Sequence, residues 1–277
     1  MTLNIAEIAP LILVGAGNMG GAMLTGWIDR GIKPADVIVL DPGLTSTMAE
    51  KLTAKGIAHA SAPHEINQTA GLLLIAVKPQ AMDAVLPGLG PLVGTKTLLM
   101  SVAAGTTIAT LSRDLRPAAT VRVMPNTPAQ VARSMSVAVS DRPLESAQKA
   151  AITALLDAIG AVAWVDDEAD IDVVTGLSGS GPAYVFHMVE ALTAAGIAEG
   201  LSPELAETLA RQTIAGAGEL LHQSSETAET LRVNVTSPGG TTAAGLSVLM
   251  NEAGGLTELM TATVAAAAAR SRELAKN

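Results

Sequence analysis

Leu11-Ile-Leu-Val-Gly-Ala-Gly-Asn-Met-Gly20 is a run of four aliphatic residues followed by glycines in a G-x-G-x-x-G spacing, and an amphipathic stretch over 19–30 comes next. Four apolar residues without a polar break suit a strand covered on both faces. Glycines placed between such a strand and a helix permit a tight turn and a close backbone approach. They also leave the helix N-terminus facing a pyrophosphate. Taken alone, the spacing also occurs in ordinary strand–helix turns. Its position in the first strand–helix–strand unit favours dinucleotide binding by Gly15, Ala16, Gly17, Asn18, Met19 and Gly20.

Working outward, the next apolar run is 37–40, ending in Asp41, about 20 residues beyond Gly20. An acid there bonds the adenosine ribose 2′-hydroxyl and disfavours a 2′-phosphate. No Lys or Arg lies between Asp41 and Lys51, so this position leans towards NADH. The alternative is a turn cap, because Pro42 and Gly43 follow directly. Further runs at 72–77, 97–102, 121–124, 136–139 and 162–165 alternate with helical stretches such as 45–55 and 144–159. The expectation is an α/β fold, a Rossmann-like, doubly wound and mostly parallel sheet. Ligands of such sheets lie beyond the carboxyl ends of the strands. Ala76, Val77, Lys78 and Pro79 therefore become cofactor-binding candidates. So do Ala103 and Gly105 in the 101–105 segment, while Pro125 and Pro128 stiffen the loop after 121–124.

Composition narrows the partners. The chain has 277 residues, 49% of them hydrophobic, with a formal charge of −9 and no cysteine. Aromatics make up 1%, which removes the stacking platforms of single-stranded nucleic-acid binders. The acidic balance also argues against polyphosphate partners. Without cysteine there are no disulfides, thiolate zinc sites or cysteine nucleophiles, and His59 and His64 make no metal pattern. The N-terminal apolar run lacks a basic region and a cleavage site, and no stretch is long enough to span a membrane. A soluble cytoplasmic protein without nucleic-acid, membrane or metal partners is expected.

From about residue 167 the strand runs stop, and helical stretches take over near 183–199, 203–222, 227–233, 243–251 and 257–275. The expected domains are 1–166, binding the dinucleotide, and 167–277, an all-helical module. Within the second, Val235-Thr-Ser-Pro-Gly-Gly-Thr-Thr242 separates two helices. It reads either as a plain connection with a capping hydroxyl or as an anion cradle. In the cradle, Gly239 and Gly240 expose N–H groups while Ser237, Thr241 and Thr242 add hydroxyls beside a helix N-terminus. A small carboxylate suits it better than a phosphate, since Arg232 is the only nearby cation. Residues 176–183 form a similar hydroxyl-and-glycine loop. Between Arg232 and Glu252 no side chain ionises, and His187 and His222 fit helical faces. Lacking an evident general base, such a site fits reduction of a polarised C=N bond better than oxidation of an alcohol.

With these residues in place, the chain resembles the pyrroline-5-carboxylate reductase family over essentially its whole length. The likeness lies in 15–20, 76–79, 101–105, 122–128, 176–184 and, most specifically, Thr236-Ser-Pro-Gly-Gly-Thr-Thr242 followed by Gly245. The resemblance implies NAD(P)H-dependent reduction of (S)-1-pyrroline-5-carboxylate to L-proline, and helical domains that interlock into dimers and often decamers. It implies that Ser237 and the N–H groups around Gly239 and Gly240 hold the substrate carboxylate. By the same analogy Thr242 bonds the imine nitrogen, and Val235 lines the pocket through its backbone. Two departures stand out. Family members often carry a Ser/Asn-Arg pair after the second strand, suited to NADPH, where this chain has Asp41-Pro-Gly43. The helix before the signature ends Leu231-Arg-Val-Asn-Val235, where an acidic or amide residue more usually follows the basic one. A reductase of a six-membered cyclic imine acid would use the same cradle, and a non-catalytic dinucleotide sensor would keep only the cofactor half. A β-hydroxyacid dehydrogenase would need a helical-domain lysine, and none precedes Lys276.

Overall fold

The computed structural model describes residues 3–275. Eight strands form one sheet: β1 (Leu11–Val14), β2 (Val37–Leu40), β3 (Ala58–Ala60), β4 (Ala70–Ile75), β5 (Val93–Ser101), β6 (Ala119–Met124), β7 (Ser134–Ser140) and β8 (Gly160–Trp164). Their order is β3-β2-β1-β4-β5-β6-β7-β8. Neighbours run parallel except β6 and β7, so the last two strands oppose the other six. The chain winds outward from β1 to β3, then crosses to the other side of β1 to start β4. That reversal makes the carboxyl ends of β1 and β4 the switch point of the sheet, where a crevice opens.

Alternation along the strands divides the core into two layers. Leu11, Leu13, Val37, Val39, Leu72 and Leu74 face one side, against Met23, Leu24 and Trp27 of α1 (Asn18–Asp29). Leu52 of α2 (Ser46–Ala54) joins that layer. Trp27 is fully buried, and its Nε1–H donates to the carbonyl of Leu155 at 2.9 Å, so the ring enters the core without an orphaned donor. Ile12, Val14, Leu73 and Ile75 face the other side, where α3 (Met82–Val85) and the following 3-10 turns supply Met82, Leu86, Leu89 and Leu92. Leu111 of α4 (Ile108–Asp114) closes that layer. Each strand of the centre is thus buried on both faces, as the unbroken apolar runs require. β3 has no such run: three residues, with only Ala60 buried, left no periodic signal.

The same unit holds α5 (Ser146–Asp157), packed through Ile152 and Leu155, and α6 (Asp170–Val174). A π-turn at Thr175–Gly179 follows α6. The first compact unit runs to Gly179 and takes back the chain from Ala267 onward. Ser271 Oγ donates to the buried Asp172 carboxylate at 2.6 Å, fastening the end of the last helix to α6.

Residues 180–266 form a second compact unit. It contains α7 (Gly181–Ala198), α8 (Pro203–Gln223), α9 (Ala228–Asn234), α10 (Thr241–Leu249) and most of α11 (Leu256–Leu274). Ser202 caps α8 by accepting from the Leu205 N–H, with Pro203 at the first helical position. Gly196 lets α7 approach α8, since a Cβ there would lie 3.2 Å from that of Ala206. Beyond that seam the unit has little core of its own. No residue of α7 is buried and only Ala206 and Ala210 of α8 are, while Phe186 is 64% exposed and Leu209 is 49% exposed.

Candidate active site

A cleft of about 930 Å³ opens at the switch point. Gly15, Gly17, Asn18 and Met19 come to it from the β1–α1 turn, Asp41 from the end of β2, and Ala76, Val77, Lys78 and Pro79 from the end of β4. Ala103 enters from beyond β5. The other three candidates do not line it. Gly20 packs behind the turn, Ala16 faces β2, and Gly105 lies beside Leu274.

The three glycines differ in what they do. Gly15 adopts φ +91°, and a Cβ on it would sit 3.0 Å from Val77 and 3.1 Å from the Ala76 carbonyl. A Cβ on Gly20 would collide with the Gly15 carbonyl, so this position lets α1 close onto the turn. A Cβ on Gly17 would meet nothing. Gly17 is also the N-cap of α1 and offers no side-chain partner to the first turn, whose N–H groups are left facing the cleft. An open backbone edge at a helix N-terminus is what a pyrophosphate requires, so the residues present fit a dinucleotide.

Asp41 joins the two halves of this wall. Its Oδ2 accepts the Ala16 N–H at 2.7 Å and its Oδ1 accepts the Gly43 N–H at 2.8 Å. The carboxylate therefore caps its own turn and braces the glycine loop while lining the cleft. The far wall was not legible in advance. Ser61 and Pro63 follow the short β3, Val85 is the last residue of α3, and Leu89 comes from the 3-10 segment after it. Residues 122–128 stay outside the cleft. There the Asn126 Nδ2–H donates to Ser178 and its Oδ1 accepts the Met135 N–H, tying the end of β6 to the π-turn.

The second loop belongs to the helical unit and is described by itself. The Gly240 N–H donates to the Ser237 carbonyl at 3.0 Å, with Pro238 and Gly239 between them and φ +69° at Gly239. Proline then positive-φ glycine at the centre is the signature of a type II turn. A Cβ on Gly240 would strike the Ser237 hydroxyl, and one on Gly239 would meet nothing. Gly240 is the N-cap of α10 and carries no capping side chain. Ser237, Gly239, Thr241, Thr242 and Val235 are all exposed, and Thr236 turns away to donate to the Arg232 carbonyl at 2.6 Å. The turn thus presents hydroxyls and unmatched N–H groups around one helix N-terminus, a cradle of partial positive charge without a formal cation.

A doubly wound sheet with an open glycine turn at its switch point, followed by a helical module with a hydroxyl cradle, defines the class of dinucleotide-dependent oxidoreductases. Residues 168–274 match the family model described as pyrroline-5-carboxylate reductase dimerisation, and residues 10–105 match one described as NADP oxidoreductase, coenzyme F420-dependent. The pyrroline-5-carboxylate reductase of Pseudomonas aeruginosa is 38% identical over 96% of this chain and 97% of its own. That of Glycine max is 36% identical over 97% of each. Among solved structures, a pyrroline-5-carboxylate reductase from Coxiella burnetii superposes with a TM-score of 0.88 at 33% identity, covering 98% of this chain and 100% of its own. The Plasmodium falciparum enzyme, solved with NADP bound, gives a TM-score of 0.78 at 30% identity, covering 97% and 99%. The chain belongs to the pyrroline-5-carboxylate reductase family.

Proposed function

We propose that the protein reduces (S)-1-pyrroline-5-carboxylate to L-proline with NAD(P)H. The carrying observation is the Ser237–Thr242 turn. It is a carboxylate-sized cradle of hydroxyls and backbone donors, with no ionisable side chain between Arg232 and Glu252. Family membership supports the same reading. When bound, the reduced dinucleotide supplies the hydride that ends on C5, while one proton ends on the ring nitrogen. Gly15, Gly17, Asn18 and Met19 hold the pyrophosphate, with Ala16 and Gly20 shaping their turn and Asp41 at the ribose. Ala76, Val77, Lys78, Pro79, Ala103 and Gly105 complete the cofactor side.

On the substrate side Ser237, Thr241 and the N–H groups at Gly239 and Gly240 orient the carboxylate, and Val235 walls the ring through its backbone. Thr242 holds the imine nitrogen, where a fixed hydroxyl dipole meets a changing charge. No strong base is needed, because the reaction consumes a proton at nitrogen rather than removing one from an alcohol.

The bare apolar faces of α7 and α8 support self-association through the helical unit, first as a dimer and further as a decamer built from five dimers. We keep 1–166 and 167–277 as the functional modules, in line with the helical family model starting at residue 168. Among the described residues no helix is long and apolar enough to cross a membrane. We place the enzyme in the cytoplasm, where its reduced cofactor is replenished.

The test is direct. Purified protein mixed with pyrroline-5-carboxylate and reduced dinucleotide should consume the nicotinamide absorbance and form proline in equal amount. Consumption without proline, or no consumption with either dinucleotide, would reject the reading.

A further inference from the structure

The acid after β2 is held in a way that bears on which dinucleotide the cleft accepts. Each Asp41 oxygen accepts one backbone N–H, Ala16 at Oδ2 and Gly43 at Oδ1. A carboxylate has about four lone-pair sites, so each oxygen retains one for a ligand hydroxyl. The side chain is therefore fixed in place yet still able to accept. The Asp41 N–H donates to the Ala60 carbonyl at 3.0 Å, which sets Ser61 on the neighbouring stretch of wall. Ser61 in turn donates through its N–H and its hydroxyl to Glu65, at 3.0 and 2.7 Å. Those bonds hold the Glu65 carboxyl below the usual carboxylate range. Asp41 is thus the carboxylate that lines the cleft here, and Glu65 stands behind Ser61 without lining it. Among the described residues Lys78, which follows β4, is the only Lys or Arg lining the cleft, and His64 does not line it.

We propose that Asp41 makes this protein an NADH-selective member of its family, receiving the ribose 2′-hydroxyl and repelling a 2′-phosphate. The inference rests on the dinucleotide reading above and deepens it. A 2′-phosphate needs charged donors, and this end of the cleft offers acceptors instead. Selection is also coupled to loop shape. Removing the carboxylate frees the Ala16 N–H as well, so truncation to alanine weakens both dinucleotides and blurs the comparison. Asp41→Asn keeps one carbonyl acceptor for the clamp while deleting the charge, and separates the two roles.

The experiment titrates the intact oligomer with NADH and with NADPH, reading the fluorescence of the bound reduced nicotinamide, with no substrate present. The wild type should bind NADH about tenfold or more tighter than NADPH. Asp41→Asn should weaken NADH and bring the two affinities to within about threefold of each other. Asp41→Ser reads the same ratio should the first variant fail to fold. Equal or tighter NADPH binding by the wild type overturns the proposal. An unchanged ratio in both variants also overturns it, leaving Asp41 a brace for the loop. Selective NADH binding without proline formation would instead sink the substrate assignment and leave this inference standing.

Discussion

At Gly240 the absence of one carbon decides where a hydroxyl sits. A Cβ there would occupy the position of Ser237 Oγ, so Gly240→Ala should turn the serine out of the cradle while the type II turn survives. Steady-state kinetics should then show KM for the imine acid raised by about tenfold or more, with dinucleotide affinity unchanged. A variant with wild-type KM would mean that Ser237 does not hold the carboxylate. Two residues on, Thr242→Ala removes a hydroxyl and no packing, because the side chain is exposed. Turnover should fall by about 10²-fold while directly measured dinucleotide binding stays the same. Unaltered turnover would take Thr242 out of the mechanism. Both changes act on the helical unit alone, so a loss of cofactor binding in either would contradict the division of labour between the modules.

Among the elements, β6, α4 and the segment entering α6 are joined by one carboxylate. Glu168 Oε1 accepts from Arg122 at 2.9 Å and from the Ile108 N–H at 2.8 Å, so it pairs a cation that is 4% exposed and serves the first turn of α4. Glu168→Ala leaves a buried guanidinium without its partner and should cost about 2–3 kcal/mol, read as a shift in the denaturant midpoint with an unchanged slope. A loss under about 0.5 kcal/mol would class the pair with ordinary surface ion pairs. This junction was not legible in the sequence, where Asp166-Asp167-Glu168 reads only as an acidic break between two kinds of pattern. β1 and β2 were legible to the residue, because an unbroken apolar run bounded by breakers has one reading. The wall opposite them was not. Leu86, Leu89 and Leu92 are all buried and recur every three residues, the 3-10 period, which neither the helical nor the strand template detects. For the same reason Gly17, Asp41 and Lys78 were assigned to the cleft from motif and strand ends, while Ser61 and Val85, carried by very short elements, were not.

At the scale of the whole molecule, the helical unit carries apolar side chains that its own fold leaves in water. Leu205, Leu209, Leu220, Leu221 and Phe186 are all exposed, far more apolar surface than an isolated helical unit keeps. Sedimentation should show a dimer or larger species at micromolar concentration. Leu209→Glu together with Phe186→Glu should shift it to monomer, with reductase activity lost and dinucleotide binding retained. An active monomer would show that one chain suffices for catalysis.

One feature of the first unit governs how the chain comes to be folded at all. Its sheet is complete by β8, yet Asp172 receives its buried hydroxyl partner from Ser271, and Gly105 receives Leu274, from the last turns of α11. The nucleotide-binding unit is therefore discontinuous. Cutting the gene after Gly179 would release it without a helical segment that it packs against, and the fragment should be less stable than its parent. During synthesis, domains generally fold as they emerge. This one must wait, its carboxylate uncovered beneath α6, until α11 has cleared the ribosome.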